Sequence, residues 1–162
     1  MSYIQTTHMK NTFLFLALML TVITHGQSQQ EEAEVKKVVL DFFDAFHQQD
    51  SVALRNLVHP SIKMQSIGKG REGKTKVSTS SYGDFLKSIA GIPSTTKFEE
   101  MLHSFKVQID GPLAQVITPY SFVVNGQLSH CGVNSFTMVK EVDEWKIVYL
   151  IDTRKREGCD PL

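Results

Sequence analysis

Apolar residues at Val35, Val38, Val39, Phe42, Phe43 and Phe46 recur at three- and four-residue spacing, which predicts an amphipathic helix over Glu31–Gln49. Asp50 can accept from the first free N–H groups of a second, short helix that turns Val52, Leu54, Leu57 and Val58 inward and ends at His59-Pro60. The period then changes to two. Ile62–Ile67 and Lys74–Thr79 read as a hairpin around a Gly68–Gly73 turn. Ser81-Tyr82-Gly83-Asp84 has capping-box spacing, with Asp in place of Glu, ahead of a third helix whose Tyr82, Phe85, Leu86 and Ile89 share a face. Gly91-Ile92-Pro93 stops it.

From Phe98 the chain reads as strands, divided by the hairpin signals Asp110-Gly111 and Asn125-Gly126, with a last strand over Trp145–Arg154. Pro119 lacks the N–H that a central strand needs, so it implies a bulge or a sheet edge. Helices ahead of a four-stranded antiparallel meander predict an α+β fold. Three N-terminal-side helices pack on a strongly curved, mainly antiparallel sheet and close a cone-shaped barrel.

Alternation across the last three strands gathers Thr118, Tyr120, His130, Asn134, Asp152 and Arg154 on one side of the sheet. The Asn125-Gly126 turn places Phe122 near His130, Tyr120 near Gly132 and Thr118 near Asn134; a tight return at Val142-Asp143 brings Asn134 to Asp152, unless a bulge intervenes. Phe136, Met138, Val148 and Leu150 fill the same face. Polar groups on a core-facing surface are costly unless bonded or wetted, so the row marks a lined pocket. The far face carries Ile117, Val123, Val133, Val139, Trp145, Ile147, Tyr149 and Ile151, apolar enough to expect a covering partner.

Composition narrows the function. Seventeen Lys and Arg balance seventeen Asp and Glu along 162 residues, so no basic stripe points to nucleic acid. Lys10 followed by the apolar run Phe13–Ile23 reads as a secretory signal peptide over residues 1–27, too short for a spanning helix, with the domain over 28–162. Met9 is an alternative start. The expected location is periplasmic or secreted, with no membrane contact after cleavage. Export permits a disulfide between Cys131 and Cys159, with two free or buried thiols as the alternative.

Gly68-Lys69-Gly70-Arg71-Glu72-Gly73 matches a dinucleotide fingerprint, but a β pattern follows it, so no helix N-terminus can cradle phosphates. With Lys69, Arg71, Lys74 and Lys76 it reads as a solvated hairpin tip, an anion contact at the pocket rim being the alternative. His130 and Cys131 point to opposite faces and cannot act as base and nucleophile. His47, His59 and His103 show no ligand spacing, so neither a metal nor a cofactor is expected. His47 reads as a surface cation at a helix C-terminus, or as part of the cone mouth.

The order of elements, with Ser129-His130-Cys131-Gly132-Val133-Asn134-Ser135-Phe136 and Trp145-Lys146-Ile147-Val148-Tyr149-Leu150-Ile151-Asp152-Thr153-Arg154, resembles the nuclear transport factor 2-like superfamily over about Glu31 to Cys159. Within it the likeness is to the exported bacterial SnoaL-like group often labelled lumazine-binding. The resemblance implies the cone fold and a sheet-to-sheet homodimer, while a fold of this kind hosts isomerases, dehydratases and plain binding modules alike.

The leading expectation is a small apolar or aromatic ligand in the cone. Phe42, Phe43, Phe46, Phe136 and Met138 would supply contact area, and Thr118, Tyr120, His130, Asn134, Asp152 and Arg154 would orient it. The alternative is a cofactor-independent lyase or isomerase with Asp152 as acid or base, since desolvation disfavours a charged carboxylate among apolar neighbours, and with Tyr120 or His130 at the oxyanion. In the structural alternative, Asp152 and Arg154 form only an ion pair. A third reading is an interaction module acting through the outer sheet face.

Overall fold

The computed structural model describes residues 28–159. Residues 28–34, where Gln30 Nε2 donates to Glu34 Oε1 (3.3 Å), fall in a different compact unit from residues 35–159, which hold the elements below apart from the first turns of helix α1. The expected signal peptide lies outside the described residues.

Helix α1 covers 28–47. Val35, Val39, Phe42, Phe43 and Phe46 of the expected face are buried and Val38 is partly so. Gln49, at a positive φ of 56°, turns the chain and donates Nε2 to the carbonyls of Ile89 and Ile92 (2.6 and 2.9 Å). Asp50 caps α2 (Ser51–Asn56) through Oδ1, which accepts from the N–H groups of Val52 and Ala53. Only Leu54 of α2 is buried, and Val52 is 69 % exposed, so the inward face is narrower than expected. Val58-His59-Pro60 belongs to a strand rather than to a helix end. β1 (Val58–Lys69) begins there because Val58 pairs with Ile147 and the Leu57 carbonyl accepts from the Ile147 N–H (3.0 Å).

A 3-10 turn (Arg71–Gly73) returns β1 to the exposed β2 (Thr75–Ser80). Ser81 caps α3 (Tyr82–Ala90), its Oγ accepting from the Asp84 N–H (3.1 Å) and donating to Asp84 Oδ2 (2.7 Å). The remaining strands are β3 (Phe98–Leu102), β4 (Lys106–Asp110), β5 (Leu113–Val124), β6 (Gln127–Glu141) and β7 (Glu144–Thr153).

Seven strands form one sheet in the order β2-β1-β7-β6-β5-β3, with β4 also on β5. Among the described strand pairs only β1 and β7 run parallel. Two departures from the expected meander have physical causes. The segment after Phe98 is two strands, because Pro119 cannot donate: β3 pairs as far as Tyr120, β4 resumes at Ile117, and the Pro119 carbonyl takes the His103 N–H (3.0 Å). An irregularity between Thr137 and Met138 against β7 moves Met138 from Val148 to Ile147. That bulge sends Trp145 (5 % exposed) and Ile147 (0 %) into the core and leaves Val148 only partly buried, reversing the expected faces.

Helix and sheet residues merge into one apolar cluster, with Phe42 and Phe43 edge-on to Phe136 at 5.8 and 6.0 Å. This is the expected α+β cone, helices packed on the concave face of a curved, mainly antiparallel sheet.

Candidate functional site

The expected cross-strand rows are present. Thr118 pairs with Asn134, Asn134 with Asp152, and Asp152 with Ser66, so one polar row crosses β5, β6, β7 and β1. The Asn125-Gly126 turn pairs Val124 with Gln127, and a one-residue shift brings Phe122 opposite His130. Below the row, Tyr120 faces Gly132, where a Cβ would collide with the Thr153 carbonyl oxygen.

A cavity of about 340 Å³ opens above the row. Phe42, Phe43, Phe46, Phe85, Phe122, Met64, Ile89 and Leu150 form its apolar walls; Ser66, Glu100, His130, Asn134, Asp152 and Arg154 form a polar side on the sheet, and Gln65, Ser80, Asp84 and Ser88 add polar groups elsewhere in the lining. Phe85 stacks nearly parallel to both Phe42 and Phe46, at 6.2 and 6.1 Å. The predicted site residues Phe43, Phe46, His130, Asn134, Asp152 and Arg154 therefore meet in one place. Thr118, Tyr120 and Phe136 do not line the cavity. Thr118 is fully buried with its hydroxyl on the Pro119 carbonyl (3.3 Å), and Phe136 lies behind the rings of Phe42 and Phe43.

Asp152 is buried and already engaged by three donors. Ser66 Oγ donates to Oδ1, and Arg154 Nε donates to Oδ2 at 2.6 Å. The Tyr120 hydroxyl lies 3.1 Å from Oδ2 and 3.0 Å from the Thr153 carbonyl, so its single proton serves two acceptors. Burial, then the charges of Asp152 and Glu100, push the Tyr120 phenol well above its ordinary value. It stays protonated and positions Asp152 from behind. Burial opposes a charge on Arg154, yet the hydrogen bond and charge of Asp152 raise its pKa further.

Glu100 was not singled out by the sequence reading. Its Oε1 accepts from Asn134 Nδ2 at 2.6 Å. Burial pushes the Glu100 carboxyl up to about 7, outweighing the Asn134 hydrogen bond, and the Asp152 charge adds to the rise. Phe98 and Leu102 share its face of β3, so period-two alternation was a signal for it. The Glu100 N–H, on the edge of the sheet, donates to His47 Nε2 (2.8 Å). His47 is thus an acceptor whose pKa burial lowers, and not a surface cation.

His130 packs on Phe122 at 4.9 Å rather than bonding Asp152, and burial followed by the field of Arg154 lowers its pKa. Cys131 and Cys159 are joined by a disulfide on the far side of β6, with Cα atoms 5.8 Å apart. Among the described residues no cluster of three His, Cys, Asp or Glu could hold a metal. The polar side of the cavity offers donors from Arg154 and acceptor or donor capacity from Glu100 according to its protonation. The five phenylalanine rings carry no polar atom, and Asp84 and Ser88 of α3 add further polar groups to the lining. Such a lining has the chemistry to accommodate a flat apolar molecule that carries a polar edge.

No family model matches the chain, and no curated protein matches it. Its fold recurs among solved structures. A protein of unknown function from Mycobacterium tuberculosis superposes with a TM-score of 0.66 at 11% identity, covering 84% of this chain and 78% of that one. A nuclear transport factor 2-like protein with a cystatin-like fold from Novosphingobium aromaticivorans gives 0.64 at 13% identity over 85% and 90% of the two chains. Another nuclear transport factor 2-like protein, of unknown function, from Shewanella baltica gives 0.57 at 13% over 79% and 96%. At these identities the likeness shows the fold, which is nuclear transport factor 2-like.

Proposed function

We propose that this nuclear transport factor 2-like fold serves as a small-molecule-binding domain that takes an aromatic or polycyclic ligand into its cone. One observation carries the reading: a cavity of about 340 Å³ walled by Phe42, Phe43, Phe46, Phe85 and Phe122, with Glu100, His130, Asn134 and Arg154 grouped on its sheet side. The ligand body stacks on the rings while Asn134, Glu100 and His130 meet its polar edge. Titration with the neutral fluorophore N-phenyl-1-naphthylamine, followed by native mass spectrometry, tests this. A one-to-one complex is expected, and a cavity that takes up no aromatic probe sinks the reading.

The proposal includes export and self-association. The apolar run Phe13–Ile23 and the Cys131–Cys159 bridge support a periplasmic or secreted location. Ile117 and Val133, 40 % and 37 % exposed on the far face of the sheet, support a sheet-to-sheet homodimer. The same exposed pair is the basis for the reading as a protein-interaction module.

A second reading, a cofactor-independent lyase or isomerase, is favoured by Glu100, whose carboxyl titrates near neutrality beside Arg154. In this reading Glu100 moves the proton and the fully engaged Asp152 fixes Arg154. Given a turned-over substrate, the pH–rate limb disappears in Glu100→Gln; its survival there with loss in Asp152→Asn returns the proton role to Asp152.

A further inference from the structure

The mouth of the cone opens onto a concentration of positive charge. Arg154 and His130 line both the apolar cavity and an adjoining open basin whose other walls are Gly68, Lys69, Ser129, Lys155, Arg156 and Glu157. Four cations face one carboxylate there, in a chain whose formal net charge is zero. Lys69 and Arg154 also line a third recess, together with Lys76.

Apart from Arg154, which pairs with Asp152, these cations are poorly neutralised. Lys155 Nζ donates to the Gly158 carbonyl (2.8 Å), and Lys69 and Arg156 have no carboxylate partner among the described residues. Arg154 uses Nε on Asp152, which leaves the other N–H groups of its five-donor fork for a ligand. The fork therefore stands where an apolar wall ends and the basic surface begins. The disulfide and the pairing of Cys131 with Lys155, through two backbone hydrogen bonds of 2.9 Å, hold this segment beside the mouth.

We infer that the ligand is an amphiphilic anion, its aromatic body in the cone and its carboxylate, sulfonate or phosphate head at the mouth on Arg154, Lys69 and Arg156. This rests on the binding reading above and adds the charge of the ligand and the second half of its site. An anion in the cone itself would meet Asp152 and Glu100. At the mouth it meets cations and keeps part of its hydration.

The test uses two probes with the same body and different heads, N-phenyl-1-naphthylamine and its sulfonated relative 8-anilinonaphthalene-1-sulfonate, titrated at low and high salt. The sulfonate should displace the neutral probe one for one and bind roughly tenfold more tightly at low salt, an advantage that high salt removes. The double variant Lys69→Gln/Arg156→Gln should lose that advantage and keep its affinity for the neutral probe. Equal affinities, or an advantage indifferent to salt and to the double variant, overturn the inference while leaving the binding pocket intact. No binding of either probe overturns the pocket reading itself. If phosphatidylglycerol vesicles capture the protein through Lys69 and Arg156 while the sulfonate gains nothing, the basic surface belongs to a membrane contact and the inference falls.

Discussion

Asn134 on β6 donates to Glu100 on β3 at 2.6 Å, reaching past β5, the strand between them. Register places Glu100 opposite Phe122 and Phe122 opposite His130, four residues along β6 from Asn134. On a flat sheet that offset alone is about 13 Å. The contact exists because the sheet twists and curls, and it brings an edge-strand carboxyl onto the polar side of the cavity.

The Glu100 carboxyl makes stability depend on pH. Its pKa rises from 4.5 to about 7 on folding, so the folded chain binds more protons than the unfolded chain between those values, and the Glu100 contribution to stability falls as pH rises through that window. The full swing is at most about 3 kcal/mol. Glu100→Gln keeps the acceptor for Asn134 and removes the titration. Urea denaturation at pH 5 and pH 8 should show the variant gaining on the wild type at the higher pH; parallel pH curves would refute the assignment.

His47 acts with the opposite sign. Burial lowers its pKa below 6.5, so its contribution is present above 6.5 and is lost as pH falls through the folded value, where the ring can no longer accept from the Glu100 N–H. His47→Leu should cost about 1–3 kcal/mol at pH 8 by stranding that N–H. The variant should also show a shallower acid limb in thermal denaturation, and an unchanged limb would count against the acceptor role.

Gly132 permits the Tyr120 ring to pass close enough for its hydroxyl to reach Asp152 and Thr153. In Gly132→Ala the new methyl would strike the Thr153 carbonyl and crowd Tyr120, so β6 and β7 must separate locally. A loss of about 2–3 kcal/mol is expected. Tyr120→Phe, which removes only the hydroxyl, should lose about 1 kcal/mol. Equal losses in equilibrium denaturation would contradict the steric account.

Breaking the Cys131–Cys159 bridge frees a 28-residue separation in the unfolded chain and should cost about 3 kcal/mol. Reduction should lower the melting temperature, and Cys159→Ser should melt at the same temperature with or without reductant.

The parts of the molecule governed by local period were legible in the sequence. The face of α1, both caps and the row Thr118, Asn134, Asp152 all follow from 3.6- or two-residue spacing and from turn chemistry. The β7 bulge was not, because Trp145, Ile147 and Val148 are equally apolar and no residue announces the slip. Glu100 was missed for a different reason. Alternation with Phe98 and Leu102 marks its face, but its approach to Asn134 depends on the pairing of β3 with β5, which no local spacing gives. Parallel pairing of β1 with β7 joins residues some ninety positions apart and left no local trace.

The break at Pro119 reaches beyond pocket geometry. An uninterrupted strand opposite β5 would present a long row of unpaired N–H and C=O groups to any passing chain. Two five-residue strands separated by His103–Phe105 present that row in two short lengths, with the Glu100 N–H already taken by His47. One missing proton on Pro119 thereby breaks this edge of the sheet into lengths too short to template an extended edge-to-edge pairing.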